Sequence, residues 1–241
     1  MCIGIRIMYK RVLLKLSGEA LAGDKGVGID STTIDIVVGQ LVELHKMGTS
    51  VAVVVGGGNF WRGRQGGNMN RTTADHMGML STVMNALALQ DAIEKQDIGC
   101  RVLTGLNMPS VAEPFILRKA IKHLDNRRIV IFACGTGNPY FSTDTGAALR
   151  AAEIGADVLL MAKSIDGLYD CDPSKNKSAK KFEHISYLEI INKGLQLMDT
   201  TSITLCMENN IPIITFGLDI QDSIVKVVKG QKLGTLIDNK Q

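Results

Sequence analysis

Six runs of β-branched and aliphatic residues recur along this chain: RVLLKL from Arg11, SVAVVV from Ser50, CRVLTG from Cys100, RIVIFA from Arg128, DVLLMA from Asp157 and IPIITF from Ile211. Most are apolar without a break, the pattern of strands covered on both faces. Helical spacing fills the gaps between them. Asp30 and Ser31 can cap a helix carrying Ile34, Val37, Val38, Leu41 and Leu44 that ends near Gly48. A long helix is predicted over residues 72–96, with Met77, Leu80, Met84, Leu87 and Ile93 along it. Pro114 is placed to open another, continuing through Phe115, Leu117, Ile121 and Leu124. Strands alternating with helices in this way specify a three-layer α/β/α sandwich with a largely parallel central sheet. There is no repeat and no linker rich in Pro, Gly or Ser, so residues 1–241 are expected to form a single domain.

Charge narrows the partners. Lys and Arg exceed Asp and Glu by only three, too small a surplus for a binder of nucleic acid polymers. The densest basic run, KNKSAKKFEH, falls in a polar loop, either solvated or touching an anion. Cys2, Cys100, Cys134, Cys171 and Cys206 are scattered, with no C-x-x-C pair, as expected for reduced thiols in a cytoplasmic protein. MCIGIRIMYKR is too short and too quickly charged for a signal peptide, and no apolar run approaches the ~18–20 residues that span a bilayer.

Three loops that follow predicted strands share an unusual composition: SGEALAG after Leu16, GGGNFWRG after Val55 and GTGNPYFSTDTG after Cys134. Ligands of open α/β sheets collect beyond the carboxyl ends of the strands, so all three face one crevice. Glycine lets main-chain N–H groups converge on an anion, and a helix starting after the loop adds its dipole. Neither the G-x-x-x-x-G-K-[ST] nor the G-x-G-x-x-G spacing occurs here, so a phosphate site of another kind is implied. Phosphoryl transfer is catalysed chiefly by positioning and by charge stabilisation. Lys15, at the end of the first strand, is the candidate fixed cation, and Arg62 can clamp a phosphate in bidentate fashion. Asp144 can orient the lysine, cap the helix that follows, or do both.

The segments YKRVLLKLSGEAL, VVVGGGNFWRG, ADHMGMLSTVMNALALQDA, GTGNPYFSTDTGAALRAAEIGADV and DGLYDCDP, in this order, resemble the signatures of the amino-acid kinase superfamily and, within it, the bacterial UMP kinases. The resemblance spans Tyr9 to Ile237 and implies an amino-acid kinase (carbamate kinase-like) fold. It implies transfer of phosphate from ATP to UMP, giving ADP and UDP, with Mg²⁺ carried on the nucleotide phosphates and no phosphoenzyme. It further implies that Lys15, Leu16, Ser17, Gly18 and Gly58 contact ATP, with Arg62 at the junction of donor and acceptor. Gly57 and Asp75 are assigned by it to UMP, Asp75 accepting from the ribose hydroxyls. Thr136, Gly137, Asn138, Pro139, Tyr140, Phe141, Ser142 and Thr143 are assigned to the uracil and phosphate of UMP. Tyr169 and Asp172 are placed beside the adenine and ribose of ATP.

The chain departs from the family at MAKSIDGLY, where Lys163 or Ser164 stands for the usual Thr or Asn at an ATP contact. Gly23, Asp24, Lys25, Gly26, Val27 and Gly28 align with a segment linked in the family to activation by GTP. The resemblance also implies a homohexamer and feedback inhibition by UTP. Two other readings fit the same loops: a kinase of a small carboxylate or carbamate, and a nucleotide-dependent storage or sensor protein without turnover.

Overall fold

The computed structural model describes residues 9–62 and 67–239; Cys2, the amino-terminal residues 1–8 and Gly63 of the second glycine segment lie outside them. Among the described residues nine strands form one sheet, in the order β4-β3-β5-β2-β1-β6-β8-β9-β7. They are β1 (Arg11–Leu16), β2 (Ser50–Val55), β3 (Cys100–Thr104), β4 (Glu113–Pro114), β5 (Ile129–Ala133), β6 (Val158–Lys163), β7 (His184–Ser186), β8 (Ile213–Gly217) and β9 (Thr235–Asp238). Every neighbouring pair is parallel except β8 with β9.

The helices are α1 (Ser31–Lys46), α2 (Arg71–Glu94), α3 (Leu117–Asp125), α4 (Thr143–Ile154), α5 (Tyr187–Lys193), α6 (Thr200–Glu208) and α7 (Ser223–Val228). They divide between the two faces, and the strands supply both cores by simple alternation. Val12, Leu14 and Leu16 of β1, with Val51, Val53 and Val55 of β2, pack towards α1, α2 and α7. Leu13, Ala52 and Val54 point the other way, towards α3, α4 and α6. That double burial is why the strands read as unbroken apolar runs. It also fixes Lys15, which shares parity with Leu13, on the α4 side of the sheet.

Asp30 caps α1 as its sequence suggested, accepting from Thr33 N at 2.7 Å. Pro114 does not open a helix. It lies in edge strand β4 beside β3, and α3 begins three residues later. An edge position tolerates the missing N–H, while Phe115 is held to the sheet by its N–H to Thr104 O at 2.9 Å and by edge-on packing against Phe132, centroids 5.7 Å apart. Among the described residues no helix is long and apolar enough to cross a membrane.

Candidate active site

The carboxyl ends of β1, β2 and β5 open onto a cleft of about 880 Å³, and all three glycine-bearing loops line it. Ser17 and Gly18 come from the first, Gly57, Gly58 and Arg62 from the second, and Thr136, Asn138, Tyr140, Phe141, Ser142 and Thr143 from the third. Lys15, Asp75 and Asp144 also face it. Leu16 is fully buried, so only its backbone is near the cleft; its carbonyl accepts from Gly56 N at 2.9 Å. Gly137 and Pro139 sit within the third loop without lining the cleft, and Lys163, Tyr169 and Asp172 also stand outside the lining.

The second loop is bent tightly against α2. A Cβ on Gly57 would lie 2.7 Å from Ser81 Cβ and 2.8 Å from Gly78 O, so nothing larger than glycine fits this approach. Gly78, Ser81, Thr82 and Asn85 recur at helical spacing and give α2 a small, polar face turned inward. From that face Thr82 Oγ1 accepts from Cys134 N at 2.7 Å, holding the start of the third loop where Cys134 has a left-handed backbone (φ 64°).

At the cleft floor Lys15 Nζ lies 2.8 Å from Asp144 Oδ1, both side chains largely buried. Asp144 is in the first turn of α4, where the dipole favours an anion. It is not the helix cap: Ser142 is, accepting from Thr145 N at 3.0 Å. The carboxylate is therefore left to the lysine. At 2.8 Å the ammonium and the carboxylate are in direct charge–charge contact.

Sequence patterns did not single out Asp199. It caps α6, accepting from Ser202 N at 3.0 Å, and also takes hydrogen bonds from Ser142 Oγ at 2.5 Å and Thr145 Oγ1 at 2.9 Å. One carboxylate thus joins the amino ends of α4 and α6, both of which border the cleft. Burial pushes its pKa up, but the hydroxyl and amide donors outweigh burial and hold it below the ordinary value.

Arg62 forms an ion pair with Glu19 of the first loop, both side chains about half exposed (50 % and 48 %). Pairs so exposed are worth about 0–1 kcal/mol, so Arg62 can exchange Glu19 for a phosphate at small cost. Asp75 is engaged from two sides, Oδ2 accepting from Tyr140 N at 2.8 Å and Arg71 Nε at 2.7 Å. Arg71, also unassigned by sequence, lies over the Tyr140 ring at 5.3 Å. Tyr140 and Phe141 are themselves exposed at the cleft mouth.

Lys163 ends β6 on the same face as Lys15 and donates to Leu197 O, in the segment that leads to Asp199. Burial lowers its pKa; Asp144 opposes that shift and Lys15 adds to it. Tyr169 Oη donates to Asp166 Oδ1 at 2.8 Å, and Asp172 closes a local turn by accepting from Ser174 N at 2.9 Å. Both belong to the loop after β6, whose basic stretch returns to pair Lys181 with Tyr169. In the segment 23–28, Asp24, Lys25, Gly26 and Val27 are exposed, and Gly26 and Gly28 adopt positive φ. Among the described residues no group of three or more His, Cys, Asp or Glu side chains is arranged to hold a metal.

Comparison with known proteins gives a consistent picture. Residues 10–217 match the amino acid kinase family. The structure is similar to the crystal structure of UMP kinase from Bacillus anthracis, with 35 % identity, 97 % of each chain covered and a TM-score of 0.94. UMP kinase from Ureaplasma parvum is 35 % identical over 95 % of this chain and 99 % of its own, with a TM-score of 0.90. Uridylate kinase from Archaeoglobus fulgidus is 28 % identical over 94 % and 99 %, with a TM-score of 0.74.

Proposed function

The chain belongs to the amino acid kinase family, among the bacterial UMP kinases, and from that premise we propose that its cleft transfers the γ-phosphoryl group of ATP to UMP in pyrimidine nucleotide biosynthesis. A phosphate oxygen of UMP attacks the γ-phosphorus in line, the bond to the β–γ bridging oxygen breaks, and ADP leaves. The observation that carries this reading is the Lys15–Asp144 contact of 2.8 Å at the meeting point of three glycine-bearing loops.

The division of labour follows from that geometry. Lys15, held by the sheet below and Asp144 beside it, is the cation for the phosphoryl group in transit. Arg62 releases Glu19 and clamps phosphate between donor and acceptor. Main-chain N–H groups of Ser17, Gly18 and Gly58, which line the cleft, add fixed positive potential with the amino ends of α4 and α6 where transition-state charge spreads. Asp75, Gly57 and residues 136–143 form the acceptor side, where Tyr140 and Phe141 offer aromatic surface for the base.

The donor side takes Lys163, Tyr169 and Asp172 around the adenosine, so that one domain over 1–241 carries UMP mainly in its amino-terminal part and ATP mainly in its carboxyl-terminal part. Mg²⁺ neutralises nucleotide phosphates when bound. It would be held through those phosphates and waters, because Asp144 faces Lys15 and both oxygens of Asp199 accept from Ser142, Thr145 and Ser202.

Regulation and assembly belong to the same reading. Gly23, Asp24, Lys25, Gly26, Val27 and Gly28 form the segment read as responsive to GTP, supported by the exposure of Asp24, Lys25, Gly26 and Val27 and by the link from Gly28 to Asn59. UTP inhibition and a homohexamer complete it. A cytoplasmic setting is supported by the free thiols Cys100, Cys134, Cys171 and Cys206.

The test is ADP release by purified protein with Mg-ATP. Addition of UMP should stimulate it strongly and CMP should not. Stimulation by a carboxylate instead, or ATP binding without UMP-dependent turnover, would replace this reading with one of the two alternatives.

A further inference from the structure

Two asparagines inside the protein form a complete hydrogen-bonded unit behind the phosphate-facing turns. Asn59 is 2 % exposed and Asn85 is fully buried. Their side-chain amides pair reciprocally, Asn59 Nδ2 to Asn85 Oδ1 at 2.9 Å and Asn85 Nδ2 to Asn59 Oδ1 at 2.7 Å. The second hydrogen of each amide reaches a glycine carbonyl: Asn59 Nδ2 donates to Gly28 O at 2.6 Å, and Asn85 Nδ2 to Gly56 O at 2.7 Å. Gly28 N returns a bond to Asn59 O at 3.1 Å. All four amide hydrogens are used, and each side-chain oxygen accepts from the other residue.

Gly18 presses on the same unit from the cleft side. A Cβ there would stand 2.4 Å from Asn59 Oδ1 and 2.6 Å from Gly58 N. The pair therefore contacts both glycine turns that face the donor phosphates and also the segment that ends at Gly28. A fully satisfied polar unit in a dry interior is rigid, and any unpaired member is penalised.

We propose that Asn59 and Asn85 are positioning residues for phosphoryl transfer: their paired amides set the backbone of Gly18 and Gly56–Gly58 and tie it mechanically to Gly28. The claim rests on the kinase reading only for its catalytic consequence; the mechanical link stands on the hydrogen bonds themselves. Neither side chain lines the cleft, so both act through the glycines. Transfer is sensitive to displacements of the order of 1 Å, which can lower rates about 100-fold.

The test uses Asn85→Asp, which keeps the shape but sets oxygen against Gly56 O and Asn59 Oδ1, and Asn85→Leu in case the charged variant does not fold. Leu124→Ala, on the buried face of α3, serves as a destabilised control away from these turns. In the nucleotide-free proteins, amide exchange at Gly28, Phe60 and Trp61 should accelerate together in the Asn85 variants and not in Leu124→Ala. Turnover should fall about 100-fold while the KM for ATP changes only a few-fold. Unchanged exchange at Gly28, or turnover no lower than that of Leu124→Ala, overturns the proposal. If wild-type protein shows no UMP-dependent ADP release, the kinase reading fails, and the exchange data still decide whether the pair links the two segments.

Discussion

Asp144→Asn removes one charge from the cleft floor and nearly nothing else. The Lys15–Asp144 pair is 2.8 Å apart with side chains 13 % and 19 % exposed. At an effective dielectric of about 20, unit charges at that separation attract by about 6 kcal/mol. Desolvation of both ions offsets much of this, but removing one partner leaves the other charge buried and unpaired, which costs about 3–5 kcal/mol. Lys163 faces the same carboxylate, so the variant also leaves two neighbouring cations without their shared counter-ion. In a chain this long each kcal/mol shifts Tm by about 2–4 °C, so a loss of 3 kcal/mol lowers it by about 6–12 °C. Lys15 also loses its orientation, and turnover should drop by about 10²–10³-fold, as when one fixed transition-state donor is removed. Thermal unfolding and UMP-dependent ADP release measure both effects on one preparation. A variant with wild-type Tm and wild-type turnover would show that the carboxylate neither balances nor aims the lysine.

Three other outcomes follow from particular contacts. Asp75→Asn should raise the KM for UMP about 10–100-fold with little change for ATP, because charge-assisted bonds of about 1.5–3 kcal/mol are lost on the acceptor side; equal effects on both substrates would contradict the assignment. Gly57→Ala should destabilise by about 1–3 kcal/mol and depress turnover, since its Cβ meets backbone at Gly78 that has no room to yield; full activity would refute that close approach. The third concerns pH. Burial lowers the pKa of Lys163, so the unfolded chain binds the extra proton more readily, and the stability of the wild type relative to Lys163→Met should rise with pH between the lowered value and the ordinary 10.5. Below that window Lys163→Met should be the more stable protein, and its advantage should shrink through the window. A constant stability difference between the two proteins across alkaline pH would contradict the burial argument.

The sheet was largely legible because its central strands are buried twice over, and double burial writes itself as unbroken apolar runs in β1, β2, β5, β6 and β8. The edges were not. β4, β7 and β9 span two to four residues, and a proline inside β4 reads as a helix start when its edge position is unknown. The three loops and Lys15 were visible as strand ends rich in glycine. Arg71 and Asp199 each have a local place, as the i,i+4 partner of Asp75 and as the cap of α6, but the contacts of Arg71 with Tyr140 and of Asp199 with Ser142 and Thr145 arise only when distant segments meet at the cleft. Asn59 and Asn85 stood inside the recognised segments, yet pairing across 26 positions cannot be read from helical spacing. Asp144 offered two roles in the sequence, and the geometry gives the cap to Ser142.

Phosphoryl transfer in this cleft requires Lys15 to meet a phosphate held between the glycine turns. A crystal structure with UMP and a non-hydrolysable ATP analogue tests this directly, through the separation of Lys15 Nζ from the γ-phosphate oxygens. Hydrogen-bonding contact there, with the UMP phosphate in line on the opposite side of the γ-phosphorus, is the expected result. Nucleotides lying elsewhere, with the lysine still bound only to Asp144, would contradict it.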